Sequence, residues 1–252
     1  MNRISSPRNR RVAYAAALHR RKERRARGQT LIEGPNLLSA AIDSRVSIEM
    51  VYATDGDRRT QTLCHGEGIS LTSVSEQVIS RISQTVNPQG PVAVIKIPEA
   101  PALRSMNTLV LVRVTDPGNM GTLIRTAAAF GFAIAVTPNA TDPWSPKVLR
   151  AAAGANFAVR ISLVQEDPIP ELIEVGLRVV ATRSHGGSWP SERLNMHRAI
   201  LIGNETYGLP VQFVAAAHET ITIPISGNTE SLNAAVAGAI IMYEMATSGI
   251  GT

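Results

Sequence analysis

Ile221-Thr222-Ile223-Pro224-Ile225-Ser226-Gly227-Asn228-Thr229-Glu230-Ser231-Leu232-Asn233, followed by the alanine-rich run 234–244, reads as a buried strand, a glycine-containing polar turn and a long apolar helix. Ile221, Thr222, Ile223 and Ile225 supply the β-branched character of a strand, and Ser226-Gly227-Asn228 closes it with a turn cluster. Pro224 has no N–H to give to a ladder, so it confines the strand to an edge or a terminus. Leu232, Ala235, Val236, Ala239, Ile240 and Tyr243 recur at helical spacing behind Ser, Thr and Asn candidates for the N-cap. The small residues Ala234, Ala235, Ala237, Gly238 and Ala239 permit another element to approach closely. Ser231 and Asn233 fall where a strand end meets a helix start, the place where an open α/β sheet binds its ligands. A capped core helix without a ligand accounts for this segment about equally well, so other stretches decide.

Working outward, Leu109-Val110-Leu111-Val112-Arg113-Val114 has the continuous apolar character of a strand buried on both faces. It runs into Asp116-Pro117-Gly118-Asn119-Met120-Gly121 and then a helix, 122–131, stopped by Gly131. Asn119 sits in the strand-to-helix turn. Arg125 lies about two turns inside an otherwise apolar helix, where it either snorkels to solvent or presents a fixed guanidinium to a phosphate or ribose. Further strands are expected at 133–137, 159–164, 177–182 and 199–202, with helical segments near 146–155 and 168–175. This alternation predicts a mostly parallel sheet with helices on both faces. The last of those strands ends in Gly203-Asn204-Glu205-Thr206-Tyr207-Gly208-Leu209-Pro210, whose bracketing glycines let backbone groups face a ligand. Glu205 is the only carboxylate in that turn, and a plain loop acid explains it equally well.

The amino-terminal part is smaller. Residues 30–38 suggest a short strand and turn leading into a helix at 36–41, residues 46–53 a strand, 70–86 a helix, and 91–97 a buried strand. Pro98-Glu99-Ala100-Pro101-Ala102-Leu103-Arg104 carries the two prolines of a stiff linker. The expected organisation is a basic arm at 1–27, a small α/β domain at 28–97, a linker at 98–106 and a second domain at 107–252.

The net charge of +5 conceals an asymmetry: residues 1–27 hold ten Lys/Arg and one acid, while the rest of the chain is net acidic. Arg20, Arg21, Lys22, Arg24, Arg25 and Arg27 centre that basicity and form a candidate phosphate-backbone contact, as against a solvated tail. The chain has no apolar run of membrane-spanning length and no apolar segment behind the amino-terminal charges, so neither a membrane span nor a secretory signal is expected. The single cysteine, Cys64, forbids an internal disulfide and a multi-cysteine zinc site, and fits a cytoplasmic setting. The five histidines show no metal-ligand spacing, so no metal is expected. Neither GxGxxG nor GxxxxGK[ST] occurs, and Gly186-Gly187-Ser188-Trp189-Pro190 fails as a nucleophile elbow because Pro190 stands where glycine is needed. A group-transfer enzyme with a bound cofactor and an RNA-binding module remain.

Three of these stretches, Asp116 to Gly131, Leu201 to Leu209 and Ile223 to Asn233, resemble the three ordered motifs of the SpoU/TrmH branch of the SPOUT RNA methyltransferases, over roughly residues 107–247. The basic tract and Leu31-Ile32-Glu33-Gly34 are similar to the ribosomal-protein L30-like substrate-binding domain that often precedes them. The resemblance implies an α/β fold with a carboxy-terminal deep trefoil knot, one of the rare exceptions to unknotted topology. It implies a homodimer that transfers methyl from S-adenosylmethionine to a ribose 2′-hydroxyl of RNA, rRNA before tRNA. A non-catalytic RNA binder that kept the fold is the competing expectation. By the match, Arg125 is the catalytic arginine and Asn119 its partner; Glu205, Ser231 and Asn233 are further active-site positions. Thr182, Ile202, Gly203, Ile223 and Leu232 would line the cofactor pocket. One departure is Ala152, where relatives often carry serine. Arginine is a poor free base, since fewer than about one in 10⁵ guanidinium groups is neutral at pH 7. Arg125 is therefore expected to clamp the ribose or phosphate and stabilise developing alkoxide charge, at a crevice shared with Glu205 and Ser231.

Overall fold

The computed structural model describes residues 3–85, 88, 90–187, 189, 197–226 and 230–247. The chain forms two compact units, Met1–Glu99 with Asp142–Phe157, and Ala100–Thr141 with Ala158–Thr252. The boundary near residue 99 lies inside the proline-bearing stretch. Assignment of 142–157 to the first unit departs from the expected continuous second domain.

In the first unit, α1 (Arg10–Ala17), α2 (Arg21–Arg27), β1 (Gln29–Glu33), α3 (Pro35–Asp43), β2 (Ile48–Thr54), α4 (Arg58–Gly66), β3 (Leu71–Val74), α5 (Glu76–Ile82) and β4 (Val92–Lys96) follow in order. The sheet order is β1-β4-β2-β3, antiparallel except for the β2–β3 pair. Successive strand residues point to opposite faces. Leu31, Val92 and Val94 accordingly join Val12 and Ala15 of α1 and Val78 and Ile82 of α5, while Ile32, Ala93 and Ile95 join Leu37, Leu38 and Ala41 of α3.

Two expectations are corrected here. The segment 70–86 is not one helix: Leu71–Val74 pairs parallel with β2, and Ser75, in extended conformation, ends the strand and caps α5 through its hydroxyl. Val74 and Val78 satisfy a helical spacing by accident of falling either side of that cap. Nor are residues 10–27 a detached arm, because Val12, Ala15 and Leu18 are fully buried. Of the basic tract, Arg20, Arg21, Lys22 and Arg25 are exposed, but Arg27 pairs with Glu23 at 2.7 Å and stacks over the Tyr14 ring. Arg24 is only 3% exposed. Its guanidinium donates to Asp142 Oδ2 at 2.6 and 2.9 Å and to the carbonyls of Leu18 and His19 at the end of α1. It is therefore withdrawn from any phosphate contact.

The second unit contains β5 (Thr108–Leu111), α6 (Pro117–Phe130), β6 (Ala133–Val136), β7 (Ile161–Leu163), α8 (Ile169–Glu174), β8 (Arg178–Thr182), β9 (Arg198–Ile202), α9 (Val211–Ala216), β10 (Glu219–Ile221) and α10 (Ala234–Thr247); α7 (Pro146–Ala151) belongs to the first. Its six strands are all parallel, in the order β10-β8-β9-β5-β6-β7. The run read as a strand buried on both faces is so over Thr108–Leu111, but the strand stops short of the expected residue 114, with Arg113 exposed at φ +54°; every residue of β6 and β9 is buried as well. β10 spans Glu219–Ile221 at the sheet edge, shorter than the expected 221–225 and sharing only Ile221 with it; the ladder ends before Pro224 could break it. The turn expected at Ser226 to Asn228 reaches Gly227 and Asn228, which lie outside the described residues. In α10 the absent side chain of Gly238 admits Leu123 of α6; a Cβ there would sit 2.4 Å from Leu123 Cδ2. Ala152, the departure from the family pattern, is fully buried at the end of α7, where a methyl suits the core.

Removing one partner of a buried ion pair leaves an uncompensated charge. Arg24→Ala is expected to lower stability by roughly 3–5 kcal/mol, and the exposed Arg25→Ala by less than about 0.5 kcal/mol. Urea unfolding of the two variants followed by circular dichroism checks the difference.

Candidate active site

The chain leaves β5 toward β6 on one side of the sheet and leaves β9 toward β10 on the other. The carboxyl ends of these adjacent strands therefore make a topological switch point, the usual ligand crevice of an open parallel sheet. The β5 turn is built by Asp116, which N-caps α6 by accepting from Asn119 N at 2.7 Å, with Pro117 at the first helical position. The β9 turn is built by Asn204, whose Oδ1 accepts from Thr206 N and Tyr207 N and whose backbone bridges Gly208. Gly203 begins it; a Cβ there would meet Gly208 C at 2.3 Å and Leu209 N at 2.4 Å, so no other residue fits.

Glu205 joins the two turns. Its carboxylate accepts from Thr115 N and Oγ1, Asp116 N and Asn119 Nδ2, all at 3.1–3.2 Å. Asn119 Oδ1 in turn accepts from Asn233 Nδ2 at 2.9 Å, and Asn233 Oδ1 accepts from Ala235 N and Val236 N, capping α10. A single polar relay, Glu205 to Asn119 to Asn233, thus ties the turns after β5 and β9 to the start of the last helix. Partial burial pushes the Glu205 carboxyl up, but the hydrogen bonds from Asn119 and from the backbone N–H groups of Glu205, Thr115 and Asp116 together outweigh it. The pKa is held below the usual carboxylate value. Arg113, at the exit of β5, takes φ +54°, costly for a side chain with a Cβ, and aims its carbonyl at Asn204 Nδ2 at 2.9 Å.

Arg125 and Ser231 stand apart from this relay. Both are exposed, and among the described residues neither makes a hydrogen bond or ion pair. Arg125 is six residues past Asn119, about 240° around the helix and ~9 Å along it, so it does not share the Asn119 face. Among the described residues no side-chain contact joins Arg125 or Ser231 to Glu205. Thr182, Ile202 and Gly203 lie at the carboxyl ends of the neighbouring strands β8 and β9, and the Thr182 hydroxyl donates to Leu201 O. Ile223 and Leu232 are half-buried between β10 and α10. Buried strand ends beside half-buried aliphatic side chains are a lining of the mostly apolar kind that fits an adenosyl and methionyl group. Among the described residues no group of His, Cys, Asp and Glu could hold a metal ion. Thr115, Asp116 and Asn204 were not singled out from sequence. Asp-Pro ahead of a helix and an Asn in a glycine-bracketed turn are the signals that mark the latter two.

A depressed carboxylate contributes stability that is complete above its unfolded-chain pKa, about 4.3, and is lost as the pH falls through the lower folded value. The stability difference between wild type and Glu205→Gln should be constant from neutral pH to about 5.5 and shrink below about 4. Urea titrations across that range measure it; a difference that grows on acidification would contradict the assignment.

The SpoU rRNA Methylase family profile matches residues 106–243, and the MRM3-like substrate binding domain profile matches residues 9–93. The 23S rRNA (guanosine(2553)-2′-O)-methyltransferase RlmP of Bacillus subtilis is 32% identical over 251 residues, 97% of this chain and 99% of that protein. The 23S rRNA (uridine(2479)-2′-O)-methyltransferase of Streptomyces viridochromogenes is 28% identical, over 96% of this chain and 91% of its own. The crystal structure of AdoMet-bound rRNA methyltransferase from Sinorhizobium meliloti superposes with a TM-score of 0.87 at 31% identity, covering 100% of this chain and 99% of that one. With the matched profile spanning more than half its length, and the relay linking residues of all three motif stretches inside it, the chain belongs to the SpoU rRNA methylase family.

Proposed function

We propose that this chain is a cytoplasmic enzyme that transfers the methyl group of S-adenosylmethionine to a ribose 2′-hydroxyl of 23S rRNA, acting as a homodimer. The observation that carries this reading is the relay Glu205–Asn119–Asn233, which brings the three turns of the family motifs to one switch-point crevice. A protein that only bound RNA would have no use for an ionised carboxylate spent on aligning one asparagine. Both relatives named above act on 23S rRNA and match nearly the whole chain, substrate-binding part included.

S-adenosylmethionine, when bound, supplies a sulfonium methyl already activated for transfer. Thr182, Ile202, Gly203, Ile223 and Leu232 would hold it. The chain's own task is to place the 2′-hydroxyl in line and to stabilise the alkoxide charge that develops there. Glu205, kept ionised and with its oxygens engaged, orients Asn119 instead of accepting the proton. Arg125 supplies the exposed cation, and Ser231 a free hydroxyl just ahead of the Asn233 cap. Because Arg125 has no side-chain partner among the described residues, its reading as an active-site residue calls for the subunit interface. The reading puts that interface at α10, where Ala235, Gly238, Ile241 and Met242 are buried while Val236, Ile240 and Tyr243 form an exposed i, i+4, i+7 apolar stripe. The proposal includes the trefoil knot. Gly187 N donates to Thr222 Oγ1 at 2.9 Å, and a Cβ at Gly187 would lie 2.7–2.8 Å from Thr222 and Ile221, so the chain passes tightly over the exit of β10. Residues 188, 190–196 and 227–229 are outside the described ones. Arg20, Arg21, Lys22 and Arg25 are the exposed part of the basic tract and are read as facing RNA phosphates; Arg20 also pairs with Glu23 at 3.4 Å.

Arg125→Ala should reduce methyl transfer by on the order of 10² or more while S-adenosylmethionine affinity stays within a few fold, and Arg125→Lys should not restore it, since an ammonium lacks the planar fork. Transfer of labelled methyl to unmodified 23S rRNA, with calorimetry for the cofactor, measures both; wild-type turnover by a folded variant would remove Arg125 from the mechanism. Ile240→Glu should convert the wild-type dimer to a monomer in sedimentation velocity, and a wild-type monomer would refute the assembly.

A further inference from the structure

Tyr207 stands at the tip of the β9 turn, two residues beyond Glu205, and is 87% exposed. The other three tyrosines are all engaged: Tyr14 lies under the Arg27 guanidinium, Tyr52 is buried, and Tyr243 meets Phe130 edge to face. Tyr207 alone has neither a ring contact nor a hydroxyl partner among the described residues. A single exposed apolar side chain is normal at a surface; what distinguishes Tyr207 is the rigidity of the turn that carries it. Here the backbone is not free. Tyr207 N donates to Asn204 Oδ1 at 3.0 Å, Thr206 N donates to the same oxygen at 2.9 Å, and Asn204 and Gly208 exchange both of their backbone hydrogen bonds at 2.9 and 3.1 Å. Asn204 is itself anchored on the Arg113 carbonyl, and the crowding at Gly203 closes the base of the turn. The ring is therefore held out over water by a fixed stalk, beside the crevice that the relay assembles.

On the reading of the preceding subsection, a ribose must enter that crevice. A nucleotide whose sugar is drawn out of a structured strand loses the stacking of its base, and proteins that read RNA recover this loss by offering an aromatic face. We infer that Tyr207 is a stacking platform for the unstacked base of the target nucleotide, a positioning residue that acts on substrate affinity and leaves the chemical step to the relay and Arg125. A ring serves this purpose with any base, so Tyr207 contributes affinity and registration of the strand and not base identity. The hydroxyl has no part in it, which separates stacking from hydrogen bonding.

The test uses the full-length protein and in vitro transcribed 23S rRNA. Tyr207→Ala should raise both the dissociation constant for this RNA and KM for methyl transfer by roughly tenfold, as expected for one lost base–aromatic stack, with kcat and S-adenosylhomocysteine affinity within about twofold. Tyr207→Phe and Tyr207→Trp should behave as wild type. Unchanged RNA affinity in Tyr207→Ala overturns the inference. So does a Tyr207→Phe variant as weak as the alanine one, which would assign the effect to the hydroxyl. A parallel loss of S-adenosylhomocysteine binding would make Tyr207 a support of the turn, and a change of sedimenting mass would make it a subunit contact; either also overturns it. Wild type that binds this RNA but transfers no methyl sinks the methyltransferase reading alone, because the affinity ratio still decides the role of Tyr207.

Discussion

A carboxylate at a protein surface ordinarily completes its hydrogen bonds with water. That of Glu205 completes them with Thr115, Asp116 and Asn119, on a turn ninety residues earlier in the chain. Charge-assisted bonds of this kind are worth about 1.5–3 kcal/mol each before solvent exposure is discounted. Their larger effect is directional. An ionised acceptor requires donors, so Asn119 must present its Nδ2 to Glu205 and consequently its Oδ1 to Asn233, whose own Oδ1 is left to cap α10. The orientation of Asn119 is fixed from both ends: the Glu205 charge calls for its Nδ2, and the α10 cap, which occupies Asn233 Oδ1, sends Asn233 Nδ2 to its Oδ1.

The first unit is held by the opposite device, a cation brought inside. Arg24 satisfies its guanidinium on Asp142 and on two carbonyls at the end of α1, so the charge closes a helix as well as an ion pair. A helix end buried without partners for its carbonyls would be costly. This explains why the basic tract, which looks uniform as a string of letters, is divided: the residues at 20, 21, 22 and 25 face solvent while the one at 24 turns inward. The partners separate them, since Arg24 meets Asp142 and the carbonyls of Leu18 and His19, and no count of charges shows that.

Much of the second unit is legible because its physics is local. The continuous apolar run of β5 becomes a strand buried on both faces, and Gly131 ends α6 where sequence reasoning places it. The shortened β10 and the strand hidden at Leu71–Val74 are less legible, since their pairing partners, β8 and β2, decide them and spacing alone allows a helix. At the site, Glu205, Asn119 and Asn233 were recognisable as residues but not as a relay, because which amide oxygen faces which donor depends on three turns meeting in space. Thr115 was invisible for a related reason: half of its contribution is a backbone N–H, which every residue except proline has. Arg125 was expected at a crevice shared with Glu205 and Ser231; among the described residues no side-chain contact joins it to either, and it is exposed on a different face of α6 from Asn119.

The first unit draws part of its core from far along the chain. Leu149 packs with Leu37 and Leu38, Thr30 donates to Trp144 O, and Asp142 neutralises Arg24. During synthesis, residues 1–99 therefore emerge with a bare guanidinium and an unfilled hydrophobic gap, and they stay so until residue 157 has left the ribosome. At 5–20 residues per second this interval lasts roughly three to twelve seconds. The amino-terminal sheet must wait, partly formed, for a piece that is spelled out within the other unit's sequence. A gene fragment that stops at residue 99 would encode an incomplete object, however natural that boundary looks on paper.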